Sequence, residues 1–452
     1  MSLLSSERGF FVPSLLRREN TPPEREIYAR ILHAYRQWNV REGGRIIDFD
    51  LTAGPEYHEE VARGFSQQMT PEDRLHMEKV LDDLIGKMVS TQPSSPEHKH
   101  YLEFLIARGE ASSWFLKRLR NEVNGLPYIE KTNGGTHEET KDSYLGPKRD
   151  QLLELADSSE ILVNSPDEYL RWGEKKRLSN EETKEHIRQA VRESLRKIER
   201  FTGQPVDLEY DIESVKENKY YYAWSRTNWE TLEFVLQLNF YKTKIWTPGK
   251  AEELANHEVV EHLRRMNDWR NRIKSGKMPE VVGQTIVHGP ESVVEEGLAL
   301  TITHFVPEIY EGLSKEGKFQ VDASILRYLV YGNVSLQLNG PNRPKIKDVI
   351  DYVHKYIPWE PDSDIRSQIK WRTQDATNQA YLPSYAFGAK LFLDIIDILN
   401  DRGRKQLIRD LSERPYTPGQ LKRSVLEIGR DKRNVNSNSK KEISQPSAVA
   451  CA

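Results

Sequence analysis

Residues 231–274 read TLEFVLQLNFYKTKIWTPGKAEELANHEVVEHLRRMNDWRNRIK. The first eleven residues, TLEFVLQLNFY, alternate in the manner of a β-strand and are rich in aliphatic and aromatic side chains, which predicts a strand over 231–241. Thr247 then provides an N-cap and Pro248 occupies the first helical position, which predicts a helix from here to about Lys274. A short strand is therefore expected to lead directly into a long helix.

The rest of the chain shows mainly helical periodicity, because apolar residues recur at three- and four-residue steps. The fold is expected to be mostly α, with a small antiparallel β element at the edge of the active site. Besides the helix that starts at Pro248, the pattern predicts helices over 24–38, 57–67, 71–88, 96–123, 181–201, 292–303, 323–338, 345–356, 362–378 and 385–400.

Four regions are expected along the chain. Residues 1–123 form an N-terminal helical layer, and residues 124–150 form an irregular connection, because they contain Asn-Gly, Gly-Gly, proline and many charges. Residues 151–430 form a second helical domain. Residues 431–452 are polar and poor in aromatics, which predicts a disordered tail.

The composition argues against several classes of protein. The 452 residues include 66 Lys and Arg against 69 Asp and Glu, so the chain lacks the basic excess of a nucleic-acid-binding protein. No apolar run approaches the ~20 residues that cross a bilayer. The N-terminus has no continuous apolar segment behind basic residues, so no secretory signal and a cytoplasmic location are expected. The one cysteine, Cys451, lies next to the C-terminus, so a metal site has to use His, Asp and Glu.

The sequence HEVVEH, which contains His257, Glu258 and His262, is the main candidate for chemistry. Zinc peptidases take two imidazole ligands and a general base from one helix in this way, with the histidines normally four residues apart. A spacing of five separates the two rings by about 140° on an ideal helix. Both rings reach one metal only if the helix widens near Val260 and Glu261. A solvated helix face with two histidines is the alternative.

A second motif, SVVEEGLAL, occupies residues 292–300. In one class of zinc enzymes the third protein ligand is a Glu from a separate downstream helix. HExxxH followed by EEGLA resembles the QEGLA-motif zinc carboxypeptidases, a gluzincin-type group that includes tubulin tyrosine carboxypeptidases, and is similar to the bacterial HExxPGHH/EGWA peptidases. The resemblance implies Zn²⁺ bound by His257, His262 and Glu296. The alternative is a plain helix with its acids in water and its leucines in the core.

The resemblance extends over residues 231–399 and implies that the second helical domain, residues 151–430, is a catalytic domain of the zincin type. Residues 383–390, PSYAFGAK, look like the S-Y-x-x-G segment of the HExxPGHH group, and residues 325–333 stand where that group has an Arg-containing helix. The chain departs from the QEGLA pattern at Glu261, which replaces a small residue, and at Glu295, which replaces the Gln. These two carboxylates either raise the pKa of the water on the zinc or accept hydrogen bonds from imidazole N–H groups.

Four further residues are candidates for the site. Tyr385 is placed to donate a hydrogen bond to the oxyanion of the reaction, or it is a core tyrosine. Arg327 and Arg372 are candidates for binding a substrate carboxylate, although an arginine is more often a surface charge. His288 lies either over the cleft or in a loop.

The expected function is zinc-dependent hydrolysis of peptide bonds. The resemblance implies carboxypeptidase-like action on a peptide or protein C-terminus, with no nucleic-acid or membrane partner expected. Glu258 takes a proton from the attacking water and delivers it to the leaving amine, and residues 232–240 pair with an extended peptide by strand addition. The alternative is a catalytically silent binding or regulatory module on the same fold. The sequence does not indicate an oligomeric state.

Truncation after Gly429 is expected to leave the melting temperature and the catalytic activity unchanged, because the residues beyond it lack the apolar content to pack against anything. Thermal unfolding of the full-length and truncated proteins, measured side by side, checks this expectation. A large fall in melting temperature on truncation would mean that the tail docks on the folded chain.

Overall fold

The computed structural model describes residues 23–64, 69–217, 222–227, 231, 233–241 and 244–429. The predicted tail at 431–452 lies outside the described residues. The predicted mostly α fold class is confirmed. Within the described ranges, no helix has both the length and the apolar character that crossing a membrane requires.

The helices carry most of the chain, and many begin at a proline behind a capping side chain. Thr247 shows the local cause, because its hydroxyl accepts a hydrogen bond from the N–H of Lys250 at 3.3 Å. The described helices are α1 (Pro23–Arg41), α2 (Pro55–Gly64), α3 (Pro71–Ser90), α4 (Pro96–Leu119), α5 (Leu126–Thr132), α6 (Asp142–Asp157), α7 (Pro166–Lys175), α8 (Asn180–Thr202), α9 (Pro248–Leu254), α10 (Arg264–Lys274), α11 (Glu291–Phe305), α12 (Pro307–Glu311), α13 (Lys315–Asn339), α14 (Ile346–Tyr356), α15 (Asp362–Gln374), α16 (Ala376–Ile398), α17 (Asp401–Glu413) and α18 (418–429).

The strands form two small sheets. In one, β1 (Ile47–Asp50) pairs antiparallel with β5 (Gln284–Ile286). In the other, β4 (Phe234–Asn239) lies in the centre, parallel to β2 (Tyr210–Val215) and antiparallel to β3 (Ala223–Thr227). The strand predicted over 231–241 is β4, so this prediction is confirmed.

The central position of β4 contradicts the prediction that residues 232–240 pair with an extended substrate peptide. Residue 232 lies outside the described ranges. β2 pairs with one side of β4 and β3 with the other. A central strand has no free row of N–H and C=O groups, so it cannot accept a further strand. β3 is instead the edge strand of this sheet that contacts the helix carrying the two histidines.

One hydrophobic core joins the N-terminal helices to the helices that carry the site. Trp38 on α1, Phe115 on α4, Val260 and Leu407 belong to the same buried cluster. A second cluster forms around α6, α13 and α14. The N-terminal helical layer therefore packs directly on the second half of the chain. The division into domains stays a prediction.

The irregular connection predicted over 124–150 is wrong in its structure, because α5 and the first nine residues of α6 lie in it. Residues 124–125 and 133–141 are the part of this range outside helices. Gly125 has φ +73°, a conformation that L side chains rarely adopt, and α5 starts immediately after it. Tyr128 and Leu145 are fully buried, so both helices are anchored in the interior.

Two glycines allow α11 and α16 to cross with their backbones in contact. A Cβ atom on Gly297 of α11 would lie 2.5 Å from the Cα atom of Gly388 of α16. A Cβ atom on Gly388 would meet the carbonyl oxygen of Val293 and the backbone of Gly297. This close approach sets how α16 lies against the helix that carries Glu296.

Gly388→Ala is expected to lower the free energy of unfolding by about 1–3 kcal/mol, because the added methyl forces two packed backbones apart. Gly86→Ala is the matched control, since Gly86 lies on the exposed side of α3 and an added methyl there would have no atom within 4 Å. This control is expected to raise the free energy of unfolding by roughly 0.5–1 kcal/mol through helix propensity. Urea unfolding of both variants measures the difference, and equal effects would contradict the close crossing.

Candidate metal centre

The helix that follows β4 is widened in its middle. α9 leads into a π-helical segment, Ala255–Leu263, and α10 continues to Lys274, where the predicted helix ends. A π-helix bonds residue i to residue i+5, so side chains five positions apart lie on one face. The ring centroids of His257 and His262 are 4.9 Å apart. The wide turn that the five-residue spacing required is confirmed.

Glu296 of α11 completes a buried triad with the two histidines. Its Oε2 atom lies 3.4 Å from Nε2 of His257 and 3.5 Å from Nε2 of His262. One ligand atom from each residue can be chosen so that all three lie within 4.8 Å of one another. The structure therefore brings together the three residues that the sequence suggested as ligands.

This donor set fits a divalent metal ion. Ligand atoms about 2.0–2.1 Å from a tetrahedral zinc ion lie about 3.4 Å from one another, close to the two distances at Glu296. Oε2 of Glu296 is buried and has no hydrogen-bond partner among the described residues. A cation between the three side chains would satisfy this atom. Two imidazoles and one carboxylate suit zinc but also other first-row metals.

The electrostatics of the triad also favour a cation. Burial opposes the charged form of His262, but Glu296 and Glu261 outweigh it and raise its pKa well above the usual value. Burial likewise opposes ionisation of Glu296, but the two histidines outweigh it and hold its pKa well below the usual range. The pocket thus stabilises positive charge next to an ionised Glu296, which a bound metal supplies directly.

Glu258 follows His257 on the π-helical segment, is half-buried, and is held by strand β3. Its Oε2 atom accepts hydrogen bonds from the hydroxyl of Ser225 at 2.8 Å and from the N–H of Ser225 at 3.2 Å. The Ser225 hydroxyl also lies 3.0 Å from the carbonyl oxygen of Glu258. The candidate general base therefore has a fixed orientation at the edge of the sheet. No sequence pattern pointed to Ser225.

Two tyrosines of α16 border the triad. The hydroxyl of Tyr381 donates a hydrogen bond to Oε1 of Glu296 at 2.6 Å. The hydroxyl of Tyr385 lies 3.4 Å from that of Tyr381, and its ring is parallel to the His257 ring at a centroid distance of 6.2 Å. Tyr385 therefore lies where the sequence suggested. Tyr381 was missed, although its position one helical turn before Tyr385 was an available signal.

Asp48 is a further carboxylate near the site that the sequence did not reveal. It lies on β1 at a bulge, where Ile47 pairs with Ile286 and Phe49 with Thr285. Burial and the nearby charge of Glu296 raise its pKa to about 6. Only the fold brings this residue from the N-terminal layer to the triad.

The three residues suggested for substrate binding do not join the triad. Arg327 pairs with Glu360, with Nη2 2.7 Å from Oε1. Arg372 is buried and donates a hydrogen bond to the carbonyl oxygen of Tyr331 at 3.3 Å.

His288 lies in the core rather than over a cleft. Its ring stacks on Phe115 at a centroid distance of 4.1 Å, and its Nε2 atom lies 2.9 Å from the hydroxyl of Ser112. Burial and the charge of Arg108 lower its pKa to about 3. Contacts within the protein therefore occupy all three side chains, and their role in substrate binding stays a prediction.

No protein-family model matches this sequence, and no curated protein matches it. Solved structures of similar fold include a protein of Colwellia psychrerythraea described as a lipoprotein, with 14% identity, a TM-score of 0.50, and coverage of 83% of this chain and 72% of that chain. A protein of Shewanella oneidensis described as a lipoprotein of unknown function has 12% identity, a TM-score of 0.46, and coverage of 89% and 78%.

Trypanosoma cruzi metallocarboxypeptidase 1 has 11% identity, a TM-score of 0.37, and coverage of 91% of each chain. The first likeness concerns the fold alone, and the two lower TM-scores support no inference. The relation to the QEGLA-motif group therefore remains a resemblance of motifs.

Zinc binding is expected to depend on Glu296 and much less on Glu295. Both side chains are buried carboxylates on α11, but only Glu296 lies against the histidines. Glu296→Ala is expected to lower the zinc content from one equivalent to a small fraction, whereas Glu295→Ala retains most of it. Metal analysis after dialysis against zinc measures both. The reverse order would mean that the other glutamate is the ligand.

Proposed function

We propose that this protein is a zinc-dependent metallopeptidase of the gluzincin type that hydrolyses peptide bonds. The observation that carries the proposal is the convergence of His257, His262 and Glu296 on one point, with Glu258 next to His257 in the chain and fixed by Ser225. The separate motif resemblance favours carboxypeptidase-like action on the C-terminus of a peptide or protein.

In this proposal Zn²⁺, when bound by the triad, acts as a Lewis acid and lowers the pKa of water. Glu258 accepts the proton of the water that attacks the scissile carbonyl, and it then delivers that proton to the leaving amine. The two hydrogen bonds from Ser225 hold the Oε2 atom of Glu258, so the proton moves at a carboxylate of fixed orientation. Holding the base in place lowers the entropic cost of the step.

The tyrosines of α16 act on the other side of the scissile bond. Tyr385 donates a hydrogen bond to the oxygen that becomes negatively charged, which is the interaction that hydrolysis of an amide most requires. Stacking of Tyr385 on the Tyr328 ring, at a centroid distance of 4.4 Å, fixes its orientation. Tyr381 holds Oε1 of Glu296 and so leaves Oε2 for the metal.

We further propose that an extended substrate lies along β3. This strand borders the helix of Glu258, and β4 pairs with only one of its two sides. Trp224, which alternates with Ser225 on β3, is 41% exposed, unlike most large apolar side chains of the protein. An exposed aromatic side chain on the strand that holds the catalytic base provides a surface for a substrate side chain.

Glu258→Gln is expected to retain zinc but to lose at least ~100-fold in hydrolysis, because the amide cannot accept the proton of the water. Assays of a peptide library by mass spectrometry, together with metal analysis, measure both properties. Glu252→Gln is a matched control on the same helix, since Glu252 accepts a hydrogen bond from Ser314 away from the triad. It is expected to hydrolyse peptides as the unaltered protein does.

The same assay tests the direction of cleavage. Peptides with a free C-terminus are expected to be shortened from that end, whereas amidated peptides are not. Internal cleavage would replace carboxypeptidase action by endopeptidase action. Full activity of metal-loaded Glu258→Gln would contradict the assignment of the base. Zinc binding without hydrolysis of any peptide would favour the silent binding module.

A further inference from the structure

A buried carboxylate that is not itself a ligand touches one of the two imidazoles. Oε2 of Glu261 lies 2.9 Å from Nδ1 of His262, on the side of the ring opposite the Nε2 atom that faces Glu296. Both atoms are buried, and neither has an aligned hydrogen-bond partner in the described part of the chain, so the 2.9 Å approach is a charge contact. The ring of His262 therefore has a carboxylate oxygen close to each of its two nitrogens.

The other oxygen of Glu261 is held by an arginine. Nε of Arg265 donates a hydrogen bond to Oε1 of Glu261 at 2.6 Å, one helical turn further along. The guanidinium group lies over the ring of Trp269 at 4.4 Å from its centroid. Glu261 and Arg265 are both inaccessible to solvent. A buried carboxylate that is paired in this way keeps both its charge and its orientation.

Glu295 shares this arginine but not the histidine. Its Oε1 atom lies 3.4 Å from Nη1 of Arg265. Its neighbour Glu296 faces the histidines instead, since adjacent positions on a helix point about 100° apart. The chain therefore contains two buried carboxylates on the same guanidinium group, and Glu261 is the one that contacts His262.

We propose that Glu261 is a positioning residue that orients His262 for metal binding, with Arg265 holding the carboxylate in place. This inference rests on the proposed metal site and extends it to a residue at which the QEGLA pattern has a small side chain. A carboxylate this close to Nδ1 favours the tautomer that carries its proton on Nδ1, which leaves the lone pair of Nε2 for the metal and makes the imidazole a stronger donor. The sequence left two roles open for Glu261, which were raising the pKa of the zinc-bound water and acting on an imidazole N–H group. The geometry points to the role at the imidazole.

Zinc affinity, measured by competition with a chromophoric chelator, tests this role independently of hydrolysis. Glu261→Gln is expected to weaken zinc binding by about 10-fold or more, the range found when such carboxylate partners of ligand histidines are replaced. Glu295→Gln is the matched control, because it removes the other carboxylate of Arg265 and is expected to leave the affinity unchanged. Melting temperatures of the metal-free variants report the purely structural cost, which is expected for both.

Three results would overturn the proposal. Unchanged affinity in Glu261→Gln would mean that His262 needs no such partner. Equal weakening in both variants would mean that the loss comes from disturbing Arg265 rather than from the histidine contact. If the unaltered protein binds no zinc, the metal site and the proposed function are both ruled out. This result is distinguishable from the first two, in which the unaltered protein does bind zinc.

A second variant covers the case in which Glu261→Gln does not fold. Glu261→Asp keeps the negative charge beside Arg265 but shortens the side chain by one methylene, which withdraws the carboxylate from Nδ1 of His262. Zinc binding is again expected to weaken relative to Glu295→Gln. An affinity equal to that of the unaltered protein would contradict the positioning role.

Discussion

The π-helical segment Ala255–Leu263 is the constraint on which the geometry of the site depends. Ideal α geometry would turn His257 and His262 about 140° apart, and no metal could contact both. The wider turn brings the two rings onto one face and also places the carboxylate of Glu261 against His262. Glu258, on the same segment, is left beside β3, where Ser225 holds it. The π-helical segment therefore points the two imidazoles towards one side of the helix and the carboxylate of Glu258 towards β3.

A buried ion pair connects the N-terminal layer to α11, the helix that carries Glu296. Arg108 of α4 lies 2.7 Å from Glu291 at the start of α11, and both side chains are almost fully buried. Arg108 also donates hydrogen bonds to the carbonyl oxygens of Val281 and Gln284. Burying such a pair costs free energy unless its remaining hydrogen-bonding groups are satisfied, as they largely are at Arg108. The N-terminal layer thus fixes the helix that carries Glu296, and it takes part in the site rather than only covering it.

The crossing of α11 and α16 completes the arrangement. Because Gly297 and Gly388 have no side chains, the two helices approach closely about one turn from Tyr385 and two turns from Tyr381. Oε1 of Glu296 then accepts a hydrogen bond from Tyr381, and its Oε2 atom is left to face the histidines. The carboxylate is oriented by the packing of two backbones, which is stiffer than orientation by a flexible side chain alone.

The sequence by itself determined the helical class, the strand at β4, the start and end of the helix that follows it, and the need for a wide turn between His257 and His262. These features depend on local periodicity, capping and spacing, which are written in neighbouring residues. Only the tertiary structure decided that β4 is central and that His288 is buried. It also decided that Asp48 lies near the charge of Glu296, that Ser225 bonds Glu258 and that Tyr381 bonds Glu296. The physical reason is that these outcomes depend on contacts between residues far apart in the chain, for which the sequence carries no local signal apart from the one-turn spacing of Tyr381 and Tyr385.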